Sequence, residues 1–180
     1  MTEEELHSPF QKCIMTKSEI RKVKQYYMTA LDLTMNDIGE ITEHIQKYGK
    51  LRTKLGALIG SKYVNNNKGD VARNNYSIAA KLLVDKNAHR PRAPVDFEER
   101  EFYGQVLYYF VHEFRGELSM LAFIHWIRNP EMLGSHIQFF HNFGETSVIN
   151  VTAIDRCVGF LKVLANKHII VDRENHVTFR

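Results

Sequence analysis

Cysteine is nearly missing from this sequence: Cys13 and Cys157 are its only two, and they match no pair spacing. Two distant cysteines cannot build a disulfide framework or the paired ligands of a structural zinc site. That scarcity suits a reducing compartment, the nucleus or cytoplasm. No apolar run reaches the roughly 20 residues that a membrane-spanning helix needs. The first residues, MTEEELHSP, are acidic and polar and do not read as a secretory signal, so neither membrane insertion nor secretion is expected. Asn150-Val151-Thr152 fits a glycosylation sequon, but without secretion it reads as part of a strand. Phosphate-cradling loops are missing too, since Gly56 and Gly60 lack the lysine and helix that should follow.

What is present is an ordinary core-forming chain: 180 residues, 44% apolar, enough for one domain with an N-terminal appendage. The longest apolar run, Phe102 to Arg128, is dense in aromatic and β-branched residues. A short polar turn, Glu113 to Glu117, breaks it in the middle. This predicts a long β-hairpin. In its second arm Leu118, Met120, Ala122, Ile124 and Trp126 share one face, and Leu121, Phe123 and Ile127 fall on the other. A strand apolar on both faces is central in a sheet or covered by a partner. Leu121, Phe123 and Ile127 are therefore candidate interface residues.

Residues 1–15 show no period and are expected to be loose. Thr16, Ser18 and Glu19 offer helix-start chemistry, and apolar residues then recur at helical spacing, predicting a helix from about Lys17 to Asp32. Ile38, Ile41, Ile45 and Tyr48 predict a second, closed by Gly49. From Lys50 the period changes to two. Lys50–Lys54 and Ala57–Ser61 read as a short hairpin, Asn65–Asp70 as a loop, and Asn75–Val84 as a strand. HRPRAP at 89–94 is extended and basic, and Asp96–Arg100 could form a helical turn. Strands are expected at Ile137–His141, Ser147–Ile154, Cys157–Leu164 and His168–Asp172. The predicted class is mainly β (α+β): a small, antiparallel, partly open barrel with one or two N-terminal helices. Its divisions are a flexible 1–15, a helical 16–48, a basic 49–100 and a barrel-like 101–180.

Charge is unevenly distributed. From Lys47 to Arg92 eleven basic residues meet only Asp70 and Asp85, a net +9, whereas 101–180 carries seven basic and eight acidic residues. Such asymmetry points to a polyanionic partner. Lys50, Arg52, Lys54, Lys62, Lys68, Arg73, Arg90 and Arg92 are the candidate phosphate contacts. A continuous positive face would favour nucleic acid, and a scattered one a merely solvated surface.

Catalytic and metal chemistry find weaker footing. His112-Glu113 lacks a second histidine four residues on, and His136 and His141, five apart on a strand, face opposite sides. The nine histidines read as hydrogen-bonded imidazoles, and no metal or other cofactor is expected. Asp155, Asp172 and Glu174 could form a remnant metal-dependent nuclease site, yet Asp155 and Asp172 look like turn or strand-end residues. Cys157 reads as a buried small hydrophobe. Tyr103, Tyr108, Tyr109, Phe110, Trp126, Phe139, Phe140 and Phe143 could frame a methyl-lysine cage, but core packing explains the same residues.

Two resemblances add to this. Trp126-Ile127-Arg128-Asn129-Pro130-Glu131 followed by Ile149 to Val158 resembles the middle of a bromo-adjacent-homology barrel, an SH3-like reader of chromatin and protein partners. More broadly, Tyr48–Arg52, Leu58–Ser61, Leu83–Ala88, Phe102–Gln105 and Ile154–Phe160 resemble the region following the catalytic part of fungal CACTA-type transposases and proteins derived from them. That resemblance implies a mobile-element origin, nuclear work and DNA or chromatin as partner. The family's catalytic core would lie upstream, so the chain is expected to be a non-catalytic accessory module, a fragment or a domesticated remnant. Self-association, or docking to the missing catalytic domain, is the alternative.

Overall fold

The computed structural model describes residues 3–65 and 74–173. In chain order the elements are β1 (Glu5–Ile14), α1 (Lys17–Ala30), α2 (Met35–Ile38), β2 (His44–Arg52), β3 (Leu58–Ile59) and α3 (Lys62–Asn65). Then come β4 (Ser77–Asp85), β5 (Phe97–Phe114), β6 (Glu117–Arg128), β7 (Glu131–Leu133), β8 (Ile137–Phe140) and β9 (Asn142–Asn150). A 3-10 turn (Val151–Ala153), β10 (Ile154–Cys157), β11 (Gly159–Leu164) and β12 (Lys167–Val171) follow.

The predicted hairpin is the axis. Arg115 and Gly116 both take positive φ, 53° and 82°, the backbone of the tight two-residue turn that matches strand twist. On one edge of β5, its first half pairs with β4, from Phe97↔Asp85 to Gln105↔Ser77, and its second half with β2, around Tyr109↔Tyr48. On the other edge it pairs with β6, and β6 with β9. β1 and β3 extend β2, and β10 extends β4, giving eight strands. A second, four-stranded sheet runs β11-β12-β8-β7. The strands pair antiparallel, as expected, and no ladder joins β9 to β10 among the described residues.

Both faces of the hairpin are buried within the chain. On one face Phe110, Leu121 and Phe123 pack with Val148 and Ile45 beneath Val23 and Tyr27 of α1. On the other, Val106, Tyr109, Ala122 and Ile124 pack with Leu51, Ile59, Ile78 and Ile154. Tyr103, Phe140, Val158 and Ile170 form a third cluster against the smaller sheet, with Ile127 beside it. The expectation that Leu121 and Phe123 present an interface is thus corrected: α1 covers them, at 0% and 1% exposure. Most of the supposed cage aromatics are likewise core, Tyr109, Phe110 and Phe140 fully so.

The N-terminal third departs most from expectation. α1 begins as read, with Thr16 and Glu19 closing a capping box. Residues 5–14 are not loose: they pair with β2 from Glu5↔Arg52 to Ile14↔His44. The second helix lasts only four residues, and Gly39 (φ +64°) turns the chain out of it. Ile45 and Tyr48 then lie on β2, where two neighbouring strands supply the hydrogen bonds a helix would have made internally. Asp96–Arg100 enters β5 and forms no helical turn. The described strands of the basic stretch share the larger sheet with β5, β6, β9 and β10, which follow it.

Gly104 lets β5 and β6 approach. A Cβ there would lie 2.6 Å from Ile124 Cγ2, 2.8 Å from the His125 carbonyl oxygen and 3.0 Å from Trp126 Cε3. Gly104→Ala should therefore destabilise the fold by about 1–3 kcal/mol, read as a lower urea midpoint at unchanged slope. An unchanged midpoint would show that the strands yield without loss.

Candidate nucleic-acid interface

The sheet divides the basic segment. Lys50 and Arg52 lie on β2, and Lys54 lies in the turn after it, where β1 brings carboxylates. Arg52 Nη1 lies 3.5 Å from Glu5, and Lys54 Nζ lies 3.5 Å from Glu4. Lys47 reaches Glu19 at 4.0 Å and sits 4.0 Å above the Tyr108 ring. Lys62, on α3, is half-buried with its ammonium 5.8 Å from the Phe143 ring centroid, and burial lowers its pKa. Lys81 pairs with Asp155 at 3.5 Å. Lys68 and Arg73 lie outside the described residues.

Arg90 and Arg92 occupy a different place, the exposed tip of the β4–β5 hairpin. Continuing the β2 register puts Arg52 level with Gln105. From there to Phe97, where the tip begins, is eight residues, or about 26 Å. Among the described candidates, Lys50, Arg52 and Lys54 form one group and Arg90 and Arg92 another, with Lys62 apart on α3. The charge density was readable in the sequence; its partition was not, because the neutralising Glu4 and Glu5 arrive at the start of β1, a strand with mostly exposed side chains and no readable alternation.

The tip is a built structure. Asp85 Oδ1 accepts from the backbone N–H of Asn87 at 2.9 Å and of Asp96 at 3.0 Å. These two donors, Asp96 first, hold its carboxyl below the usual range. Asn87 Nδ2 donates to the Pro94 carbonyl at 2.7 Å, and turns close from Arg90 N to Asn87 O and from Ala93 N to Arg90 O. Between Lys86 and Val95 there are three cations and no carboxylate. Lys86 folds back onto Asp96 and Glu98, leaving Arg90 and Arg92 as the outward charges.

The carboxylates suspected of metal binding are otherwise engaged. Arg156 Nη2 lies 2.5 Å from Asp172, its Nε 3.1 Å from both oxygens of that carboxylate, and its Nη1 2.5 Å from Asp155 and 2.6 Å from Glu101. A guanidinium between the two aspartates makes this an ion-pair network. Glu174 lies outside the described residues, and no group of three potential metal-ligating side chains occurs among those described. Cys157, expected to be buried, is exposed on β10. Asn150 accepts from the Thr152 backbone at 3.0 Å and caps the 3-10 turn, a use of Asn-x-Thr that needs no glycan.

No family model, no curated protein and no solved structure matches this chain. No helix among the described residues is long and apolar enough to cross a membrane.

Proposed function

We propose that this chain is a non-catalytic accessory module of a transposase-derived protein, and that it contacts DNA or chromatin in the nucleus through the tip of its β4–β5 arm. The observation carrying this reading is the ordered tip itself, which holds Arg90 and Arg92 outward on a loop free of carboxylates. Guanidinium groups held outward on a structured loop suit phosphate contacts. The second candidate group, Arg52 and Lys54, contributes less because Glu5 and Glu4 already compensate it.

The fold supports the same class. Strands β4, β5, β6 and β9 form a meander, a 3-10 turn follows, and β10 returns to pair with β4. We read this order as a partly open SH3-like barrel of the bromo-adjacent-homology kind, a scaffold for recognition rather than for turnover. The smaller sheet and the helical cover are additions to it.

The test is retention on a DNA duplex across a salt series. Binding should weaken steeply from low to moderate salt. Arg90→Glu with Arg92→Glu should cut retention and lower the logarithmic salt slope by about 2. Arg52→Glu with Lys54→Glu should do less. Binding that ignores salt, or is missing even at low salt, would sink the reading.

A second reading, a protein-interaction module, is favoured by a different observation: an apolar groove beside α1.

A further inference from the structure

That groove has a volume of about 460 Å³ and lies among α1, β9 and β4. Its walls are consecutive residues, Ser147 to Asn150 on β9 and Lys81 to Leu83 on β4. A sheet face offers every second residue of a strand; consecutive residues mean that both strands meet the groove edge-on. Each has a pairing vacancy there. Among the described residues β9 pairs with β6 alone, and β4 meets β10 only through Ile78, Ala79 and Ala80. From Lys81 onward the outer edge of β4 has no ladder among the described residues. An unpaired edge is a template for an added strand.

The occupant's chemistry follows from the walls. Tyr26 and Ala30 of α1, Leu82 and Leu83, and Val148 and Ile149 make the surface largely apolar. The charged side chains lining it are Lys22 and Lys81, with no carboxylate among them; Lys81 is already paired with Asp155 at 3.5 Å, so Lys22 is the main cation facing the groove. Lys22 Nζ already donates to the Thr146 carbonyl at 2.5 Å, so a side-chain donor reaches a backbone acceptor of β9. An incoming carboxylate could draw that ammonium away and release the carbonyl to a strand N–H. Four edge residues span about 13 Å, the length of a short extended segment.

We propose that this groove binds an extended segment of a partner protein, apolar and acidic residues alternating, by strand addition to β9. Main-chain hydrogen bonds to Ser147–Asn150 supply the affinity, and the apolar floor with Lys22, and secondarily the Asp155-paired Lys81, selects the side chains. This site uses none of the residues assigned to DNA contact, so each reading can fail while the other stands.

The test uses the full chain and a fluorescein-labelled hexapeptide alternating glutamate and valine. A saturable rise in anisotropy is expected. Ala30→Trp, at an exposed helix position that fills the groove, should weaken binding about tenfold. Lys22→Glu with Lys81→Glu should do the same and favour a lysine–valine peptide instead. Methylating alternate peptide amides should abolish binding. The proposal is overturned if no saturation appears at millimolar peptide, or if the methylated peptide or the Ala30→Trp variant binds unchanged. Displacement of the peptide by a short DNA duplex would reassign the groove to nucleic acid. A dimer in sedimentation that Ala30→Trp dissociates would reassign it to a second copy; either result overturns the proposal.

Discussion

Arg156→Leu should destabilise the protein by about 3–5 kcal/mol, the loss expected when one partner is removed from a buried ion pair. Against the 5–15 kcal/mol that hold most domains folded, that is a large share. The Asp172 side chain is 3% exposed and that of Arg156 14%. The guanidinium meets Asp172 with two nitrogens, Asp155 and Glu101 with a third, and Glu101 also accepts from the Tyr103 hydroxyl at 2.7 Å. Burial and Glu101 together raise the Tyr103 pKa, so that phenol stays a donor. These residues come from β10, from β5 and from the residue after β12, so the network ties the smaller sheet to the larger. Removing the cation leaves three carboxylates crowded together. Arg156→Lys should recover only part of the loss, since an ammonium cannot reproduce the planar fork. Arg156→Met combined with Asp172→Leu should recover part of it, because it removes the most buried of the stranded charges while Asp155 and Glu101, about a third exposed, remain. Urea unfolding of the four proteins decides: an Arg156→Leu midpoint equal to that of the parent would show the network to be ornamental.

How far the sequence could be read depended on whether its signal was local. α1 was legible because Thr16 and Glu19 form a capping box four residues long. The hairpin was legible because its arms are apolar and its turn polar. β1 was not, since most of its side chains face solvent and show no alternation; a partner strand defines it. β2 was misread because Ile38, Ile41 and Ile45 sit at helical spacing. The backbone turn at Gly39 and the two flanking strands outweigh that spacing. The same limit applies to the sites. The cationic density of 47–92 was visible, while its division by Glu4 and Glu5 required β1. Asp155 and Asp172 looked like strand-end carboxylates, and 16 residues of separation concealed the arginine they share. The groove had no motif at all, because three separate segments assemble it.

His112→Ala should cost about 3 kcal/mol or more and should also change how stability responds to acid. His112 is 1% exposed on β5, and Phe-sized deletions at such depth carry a transfer and a cavity cost. Its polar atoms are both used: Nε2 lies 3.1 Å from the Thr42 carbonyl oxygen and Nδ1 2.8 Å from the Tyr27 hydroxyl. A carbonyl only accepts, so Nε2 carries the proton and Nδ1 accepts from Tyr27. Burial pushes the Tyr27 pKa up to about 12, which keeps that hydroxyl a donor. Deleting the imidazole thus removes one buried tie between α1 and the sheet and takes a partner from the Tyr27 hydroxyl and the Thr42 carbonyl. Burial is also the main cause that lowers the His112 pKa below its ordinary value. Between that lowered value and about 6.5, the unfolded chain binds a proton that the folded chain refuses. Stability therefore rises with pH through this window. The contribution is complete above the ordinary value and is lost as pH falls toward the folded one. His125 and His168 are lowered in the same direction, each mainly by burial, and add to the parent's slope. Urea midpoints at about pH 5 and pH 7, either side of the ordinary histidine value, separate them: the variant should be weaker at both and should lose less on acidification. If the two proteins lose equally, His112 titrates alike folded and unfolded. Its bond to Tyr27 then fixes packing without sensing pH.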